Sequence, residues 1–140
     1  MSTDNKALVH RWFEEVWNKG RAQAIDEMMA RGCVIHGLGP DLRGPDGFKP
    51  FHASYRDAFP DVTLNVDDIA SEGSLVAARW SGTGTHRGNG LGFPQTGRSV
   101  NFTGMSFVRI ENGKIVEGWN NFDQLGMLQQ LGVVNLPSGV

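Results

Sequence analysis

Apolar residues in the first part of the chain recur at helical spacing. Leu8, Trp12 and Val16 lie four residues apart and predict a first helix, which the Asn-Lys-Gly sequence at 18–20 ends. Ile25 and Met28 belong to the apolar face of a second, shorter helix that starts near residue 22. These patterns predict that the chain begins with two consecutive helices.

A third helix is predicted after a short strand and a loop. Residues 33–36, Cys-Val-Ile-His, are a strand candidate, and the glycine- and proline-rich residues 37–47 are typical of a loop. Phe51, Tyr55 and Phe59 then share one face at four-residue spacing, from a helix start near residue 48. Pro60 closes this helix.

The second half of the chain alternates between apolar and polar residues, as half-buried strands do. Val62, Leu64 and Val66 open this pattern, and further strands are predicted over residues 75–85, 99–110 and 114–123. Residues 82–97 contain six glycines, which predict a long bent hairpin region. The Asn-Gly pair at 112–113 signals a tight turn, and a last short helix is predicted over residues 124–131.

Helices followed by an antiparallel meander are typical of the α+β class, with helices packed on one face of a curved sheet. No linker, internal repeat or low-complexity segment interrupts the pattern, so we expect one domain over residues 1–140. A domain of this length buries roughly 68–70% of its unfolded surface, which is enough for a hydrophobic core without disulfides.

Composition narrows the range of functions. Thirteen basic and fifteen acidic residues give a net charge of −2 without any block of like charge, so we expect no nucleic-acid or anionic-membrane partner. No stretch approaches the roughly 20 apolar residues of a membrane span, and no secretory signal is visible. The single cysteine, Cys33, has no activating neighbour, so we expect a buried structural thiol in a cytoplasmic protein.

The last predicted strand carries the most suggestive polar residues. Trp119, Asn121 and Asp123 share one face by the two-residue period of a strand. A left-handed bulge at Gly113 would place opposite them, on the same face, a mixed aromatic, polar and charged set: Asn101, Thr103, Met105, Phe107 and Arg109. A simple two-residue turn would shift the register by one residue, so that the partners opposite the last strand would instead be Phe102, Gly104 and Ser106. We favour the first register, which predicts the wall of a small-molecule pocket.

Several short strings occur in an order that resembles a known family. They are Ala58-Phe59-Pro60-Asp61, Val76-Ala77-Ala78-Arg79-Trp80, Gly84-Thr85-His86-Arg87-Gly88, Gly92-Phe93-Pro94-Gln95-Thr96-Gly97, Asn112-Gly113-Lys114-Ile115-Val116-Glu117-Gly118-Trp119 and Asp123-Gln124-Leu125-Gly126. In this order they resemble the SnoaL-like polyketide cyclase (ester cyclase) family of the nuclear transport factor 2-like superfamily. The likeness runs from about residue 5 to residue 132, with Gln95 standing where the family usually has proline.

The resemblance implies a cone-shaped half-barrel. Three N-terminal helices would pack on a strongly curved, mostly antiparallel sheet around a central pocket. It further implies a hydrophobic, polycyclic or aromatic substrate, an intramolecular aldol closure or isomerisation through an enolate, and neither metal nor cofactor. Because members of the superfamily commonly dimerise, we also expect a homodimer formed through the outer face of the sheet.

Three residues are candidates for catalysis. The resemblance places the acid/base carboxylate at Asp123, although this residue also directly precedes the last helix and could simply cap it. His86 ends a predicted strand and could stabilise an enolate by donating to its oxygen, and His36 could face the pocket mouth. Four aromatic residues are expected to line the pocket: Tyr55, Phe59, Trp80 and Trp119.

Two alternatives remain open at this point. The same fold could serve as a non-catalytic module that binds an apolar small molecule, since a cavity does not require chemistry. An epoxide-hydrolase-like member would need two carboxylates and an arginine around a water, for which Asp123, Glu117 and Arg109 are available. The four histidines have no metal-ligand spacing, so no metal site is expected.

Overall fold

The computed structural model describes residues 2–137 of the chain. Within this range the elements are α1 (Ser2–Arg11) with a π-helical continuation (Trp12–Asn18), α2 (Ala22–Met28), β1 (Met29–His36), β2 (Leu42–Arg43), α3 (Gly44–Ala58), β3 (Thr63–Glu72), β4 (Leu75–Thr85), β5 (Ser99–Glu111), β6 (Lys114–Phe122) and α4 (Gln124–Gln130). The predicted order of helices and strands is therefore confirmed.

The largest difference from the predicted elements lies between β1 and α3. The predicted loop contains the two-residue strand β2, in which Leu42 pairs with Ile35 of β1. Helix α3 starts at Gly44, four residues before the predicted position. Pro45 fits there because the first turn of a helix needs no backbone N–H from it.

The six strands form one sheet in the order β2-β1-β6-β5-β4-β3. The β1–β6 pair is parallel and the other neighbouring pairs are antiparallel. The sheet does not close on itself, and the helices cover one of its faces. The domain is an α+β cone-shaped half-barrel with a mostly antiparallel sheet, as predicted.

Neither predicted register of the β5–β6 hairpin holds along its whole length: the bulge at Gly113 is wrong, and the alternative two-residue turn is correct only for the pairs next to the turn. Asn112 and Gly113 have φ values of 51° and 73° and form a two-residue turn, so Glu111 pairs with Lys114. Ile110 pairs with Ile115, but Arg109 pairs with Glu117, so Val116 is left without a partner in a bulge that shifts the pairing by one residue. Beyond the bulge, Trp119 lies opposite Phe107.

The hydrophobic core lies between the helices and the inner face of the sheet. Strands β4 and β5 contribute the buried residues Val76, Ala78, Phe102 and Ile110 to it. The opposite, outer face of the sheet carries apolar residues that stay exposed, led by Met105 at 62%. Within residues 2–137, no helix has both the length and the apolar character needed to cross a membrane.

Candidate functional site

An apolar cavity lies between the helices and the inner face of the sheet. Its volume is about 100 Å³. Its aromatic lining comes from the π-helical segment, α3 and the sheet: Trp12, Phe13, Trp17, Phe48, Phe51, Tyr55, Trp80, Phe102 and Phe122. Such a lining suits a flat, apolar ligand.

Helix α3 supplies one wall of this cavity, as its four-residue spacing predicts. Trp17 of the π-helical segment packs edge-on against Phe48 and Phe51, with ring centroids 6.3 and 6.2 Å apart. One turn further, Tyr55 packs edge-on against Phe122, at 5.9 Å. The predicted pocket position of Tyr55 is thus observed, and burial raises the pKa of its phenol, which keeps the group protonated.

Three side chains form a polar relay on the sheet wall of the cavity: Trp80, Ser106 and Asn120. The indole Nε1–H of Trp80 donates to Oγ of Ser106 at 3.0 Å, and the Ser106 hydroxyl donates to Oδ1 of Asn120 at 2.5 Å. Gly104 makes the first contact possible. A Cβ there would collide with the Trp80 ring and lie 2.8 Å from Cβ of Phe122.

The cavity lining is almost free of titratable groups. Among the lining residues within 2–137 there is no carboxylate, histidine, lysine or arginine, and the Tyr55 phenol is the one ionisable group. The side-chain groups of the described lining that can form hydrogen bonds are therefore those of the polar relay, the Tyr55 phenol and the indole N–H groups of Trp12 and Trp17.

The predicted pocket wall around Trp119 lies on the outer face of the sheet, where most of its residues line an open groove instead of the cavity beneath the helices. Their role in substrate binding stays a prediction. The residues placed on this outer wall are Asn101, Thr103, Met105, Phe107, Arg109, Trp119 and Asn121. They do share one face, as the two-residue period requires. However, the helices cover the other face, where Phe102, Ser106 and Asn120 point inwards.

Asp123 caps helix α4. Its Oδ1 accepts a hydrogen bond from the backbone N–H of Gly126 at 2.9 Å, and its side chain is exposed on the outer side of the sheet. A side chain at Gly126 would collide with this carboxylate. The geometry supports the capping interpretation, and the acid/base role of Asp123 stays a prediction.

Substitution of Asp123 tests its capping role. Asp123→Ala is expected to lower the free energy of unfolding by about 1 kcal/mol because the N-cap acceptor is lost, whereas Asp123→Asn keeps a capping oxygen and changes it little. Urea unfolding of the two variants and the parent measures this difference. Equal destabilisation by alanine and asparagine would contradict the capping role.

His86 is fully buried beneath the segment 87–98 and does not line the cavity. Its Nδ1 accepts the backbone N–H of Thr96 at 3.0 Å, which places the ring proton on Nε2. Nε2 has no hydrogen-bond partner within the described chain, and burial lowers the pKa of this imidazole. The predicted enolate contact of His86 therefore has no support in this geometry.

Phe59 stands between His86 and the cavity. Its ring is fully buried and packs edge-on against Phe102, with ring centroids 5.0 Å apart. It also lies 5.5 Å from the His86 ring and 6.4 Å from that of Tyr55. Phe59 is thus a core residue behind the cavity wall rather than one of the lining residues.

His36 lies on the outer face instead of at the cavity mouth. Its Nε2 lies 2.8 Å from Glu117 and its Nδ1 lies 3.0 Å from Asp41. Hydrogen bonds to Glu117 and then Asp41 raise the pKa of this imidazole, and its ring stacks on Trp119 at 5.5 Å. Arg109 pairs with Glu117 across the ladder, so the groups considered for an epoxide hydrolase lie outside the cavity.

The two polar residues that the sequence reasoning missed are Ser106 and Asn120. Asn120 lies between the selected residues Trp119 and Asn121, and Ser106 belongs to the register that was not favoured. From the sequence pattern alone, either face of the strand could have been the pocket wall.

The buried position predicted for Cys33 is confirmed, and burial raises the pKa of its thiol to about 12.

Comparisons with known proteins agree with this architecture. Residues 7–131 match the family model described as SnoaL-like polyketide cyclase. The chain is 32% identical to the aklanonic acid methyl ester cyclase DauD of Streptomyces sp. (strain C5), covering 89% of this chain and 80% of that protein. It is 31% identical to the aklanonic acid methyl ester cyclase DnrD of Streptomyces peucetius, covering 89% and 88%.

A solved structure of similar sequence has the same fold. IdmH from Streptomyces antibioticus superposes with a TM-score of 0.77 at 33% identity, covering 92% of this chain and 99% of that one. The family match extends over nearly all the elements that build the cavity, from α1 to α4. The chain therefore belongs to the SnoaL-like polyketide cyclase family.

Proposed function

We propose that this protein catalyses an aldol-type cyclisation or isomerisation of a hydrophobic carbonyl compound inside the aromatic cavity. The observation that carries the proposal is the lining itself, which is aromatic on several sides and polar at the relay and at Tyr55. The two cyclase relatives, which carry the name of a methyl ester substrate, support the same class of reaction.

The proposed reaction balances without a co-reactant. An α-carbon between two carbonyl groups loses a proton to water at the cavity mouth, and its electron pair forms the new bond to another carbonyl carbon. The resulting alkoxide takes a proton from the Tyr55 phenol, which recovers one from solvent. Burial raises the pKa of Tyr55, so the residue is a proton donor at neutral pH rather than a base.

Proton exchange tests the proposal without knowledge of the natural substrate. The protein is incubated in deuterium oxide with a panel of enolisable polycyclic ketones, and mass spectrometry follows deuterium at the α-carbon. We expect exchange above the buffer rate for the parent and for Asp123→Asn, because Asp123 lies outside the cavity. Loss of exchange only in Asp123→Asn would instead establish the acid/base role of that carboxylate.

A non-catalytic binding module is the second candidate. It is favoured by one observation, the absence of a carboxylate or imidazole from the lining formed by residues 2–137. This candidate predicts that ketones of the panel bind in the cavity while the rate of deuterium exchange stays at the buffer level.

We also propose that two copies associate through the outer face of the sheet. Met105, Phe107 and Trp119 are 62%, 46% and 37% exposed there and adjoin each other across the β5–β6 ladder. Burying such an apolar patch against a second copy is favourable. Light scattering should give about twice the chain mass of 15.3 kDa, and Phe107→Glu should return the protein to a monomer. A parent mass near 15.3 kDa would contradict the dimer.

A further inference from the structure

The direction of each hydrogen bond in the polar relay can be determined. The indole of Trp80 can only donate, so Oγ of Ser106 is the acceptor of the first bond. The hydroxyl hydrogen of Ser106 then needs an acceptor, which among residues 2–137 is the side-chain amide of Asn120. Oδ1 of Asn120 therefore faces Ser106, which assigns the orientation of the amide.

This orientation decides what Asn120 presents to the cavity. With Oδ1 engaged by Ser106, the Nδ2 amide group and its two hydrogens lie on the remaining side of a residue that lines the cavity. Within residues 2–137 Nδ2 has no protein acceptor, and it is not among the fully buried polar atoms, so it stays accessible to a ligand. The relay thus ends in a hydrogen-bond donor that has no acceptor among residues 2–137.

We infer that Asn120 is the specificity-determining residue of the cavity and that it selects ligands by a carbonyl or enolate oxygen. An oxygen that only accepts satisfies the amide, and an enolate oxygen gains more from it because hydrogen bonds to a charged acceptor are stronger. A hydroxyl group gains less, because its own hydrogen needs an acceptor and the Nδ2 group of Asn120 offers only donors. This inference deepens the proposed function and rests on it.

Ser106 and Trp80 are positioning residues in this arrangement. They touch no reacting atom, but they prevent the Asn120 amide from turning its oxygen towards the ligand. Gly104 contributes in the same way, since a larger residue would displace the indole that starts the relay.

Three probes with one carbon skeleton test the inference: α-tetralone, α-tetralol and tetralin. Binding is followed by the fluorescence of Trp12, Trp17 and Trp80, which line the cavity. For the parent we expect the ketone to bind about tenfold more tightly than the hydrocarbon, with the alcohol weaker than the ketone. Equal affinity for ketone and hydrocarbon, no detectable ketone binding, or a preference for the alcohol would overturn the inference.

Four variants test whether the ketone preference depends on Asn120 and the relay. Asn120→Leu should abolish the tenfold preference, and Asn121→Leu should keep it because that neighbour lies on the outer face. Asn120→Asp replaces donors with acceptors, so its affinity for the ketone should be low at neutral pH and rise as the carboxyl group protonates. Ser106→Ala should retain hydrocarbon binding while weakening the ketone preference.

These results separate the inference from the proposed function. A ketone preference that depends on Asn120 in a protein without deuterium exchange would support the donor and contradict catalysis. Deuterium exchange by the parent, together with a ketone preference that stays the same in Asn120→Leu, would support catalysis and contradict the role of Asn120 as the hydrogen-bond donor to the ligand.

Discussion

Replacing Ala78 with leucine is expected to lower the rate of ketone exchange by about a hundredfold or more. Ala78 is buried, lines the cavity and lies directly opposite Ser106 in the β4–β5 ladder. The larger side chain would occupy the space in front of the polar relay and displace a ligand from it, and displacements of about 1 Å can cost this much in rate. Overpacking should also cost about 1–3 kcal/mol of stability if the cavity cannot absorb the leucine.

Ala77 provides the matched control. It is the next residue on the same strand and lines the groove on the outer face, so Ala77→Leu adds the same atoms outside the cavity. Mass spectrometry of α-deuteration gives the rates, and urea unfolding shows whether each variant is folded. A full rate in Ala78→Leu, or an equal loss in both folded variants, would contradict the assignment of the cavity as the reaction site.

Phe59→Ala is expected to lower the free energy of unfolding by about 3–5 kcal/mol. The ring is 0% exposed and packs against Tyr55, His86 and Phe102, so truncation leaves a cavity that the surrounding strands cannot fill. Because domains of this kind are stable by only about 5–15 kcal/mol, this single change removes a large part of the total. Urea unfolding measures it.

Phe93→Ala is the control for the loss of a phenyl ring. Phe93 also contacts His86, with ring centroids 5.3 Å apart, but it lies on the segment 87–98 and is only partly buried. We expect a clearly smaller destabilisation for it, since part of its surface already contacts water. Equal effects of the two substitutions would show that the segment, rather than the core position, determines the stability.

The two faces of the β5–β6 hairpin have separate roles in these proposals. The inner face presents the relay and aromatic rings to an enclosed space, whereas the outer face presents His36, Glu117 and Trp119 to solvent. The inner face thus binds the ligand in the proposed function, and the outer face is the surface proposed for a second copy.

The candidate site was only partly predictable from the sequence. Helical spacing correctly predicted that Tyr55 faces the cavity, because a four-residue repeat on α3 leaves one face for its aromatic residues. Trp80 was likewise placed correctly. In contrast, His36 ends β1 and His86 directly follows β4, and neither position indicates that Glu117 and Thr96 will engage the rings.

The sequence by itself determined the order of the elements, the α+β class and the membership of residues in each strand face. These properties follow from local periodicity, which is 3.6 residues in a helix and two in a strand. The position of the turn at Asn112 and Gly113 was also readable, because these residues tolerate positive φ, but its type was not: the favoured bulge at Gly113 is replaced by a two-residue turn.

Only the tertiary structure decided which face of β5 and β6 is buried. Both faces carry large apolar residues, Phe102 and Phe122 on one side and Phe107 and Trp119 on the other, so alternation alone does not separate them. The choice is made where the helices pack, through contacts between residues far apart in the chain. That packing turns Asn120 towards the cavity and leaves Asp123 outside, as the cap of α4.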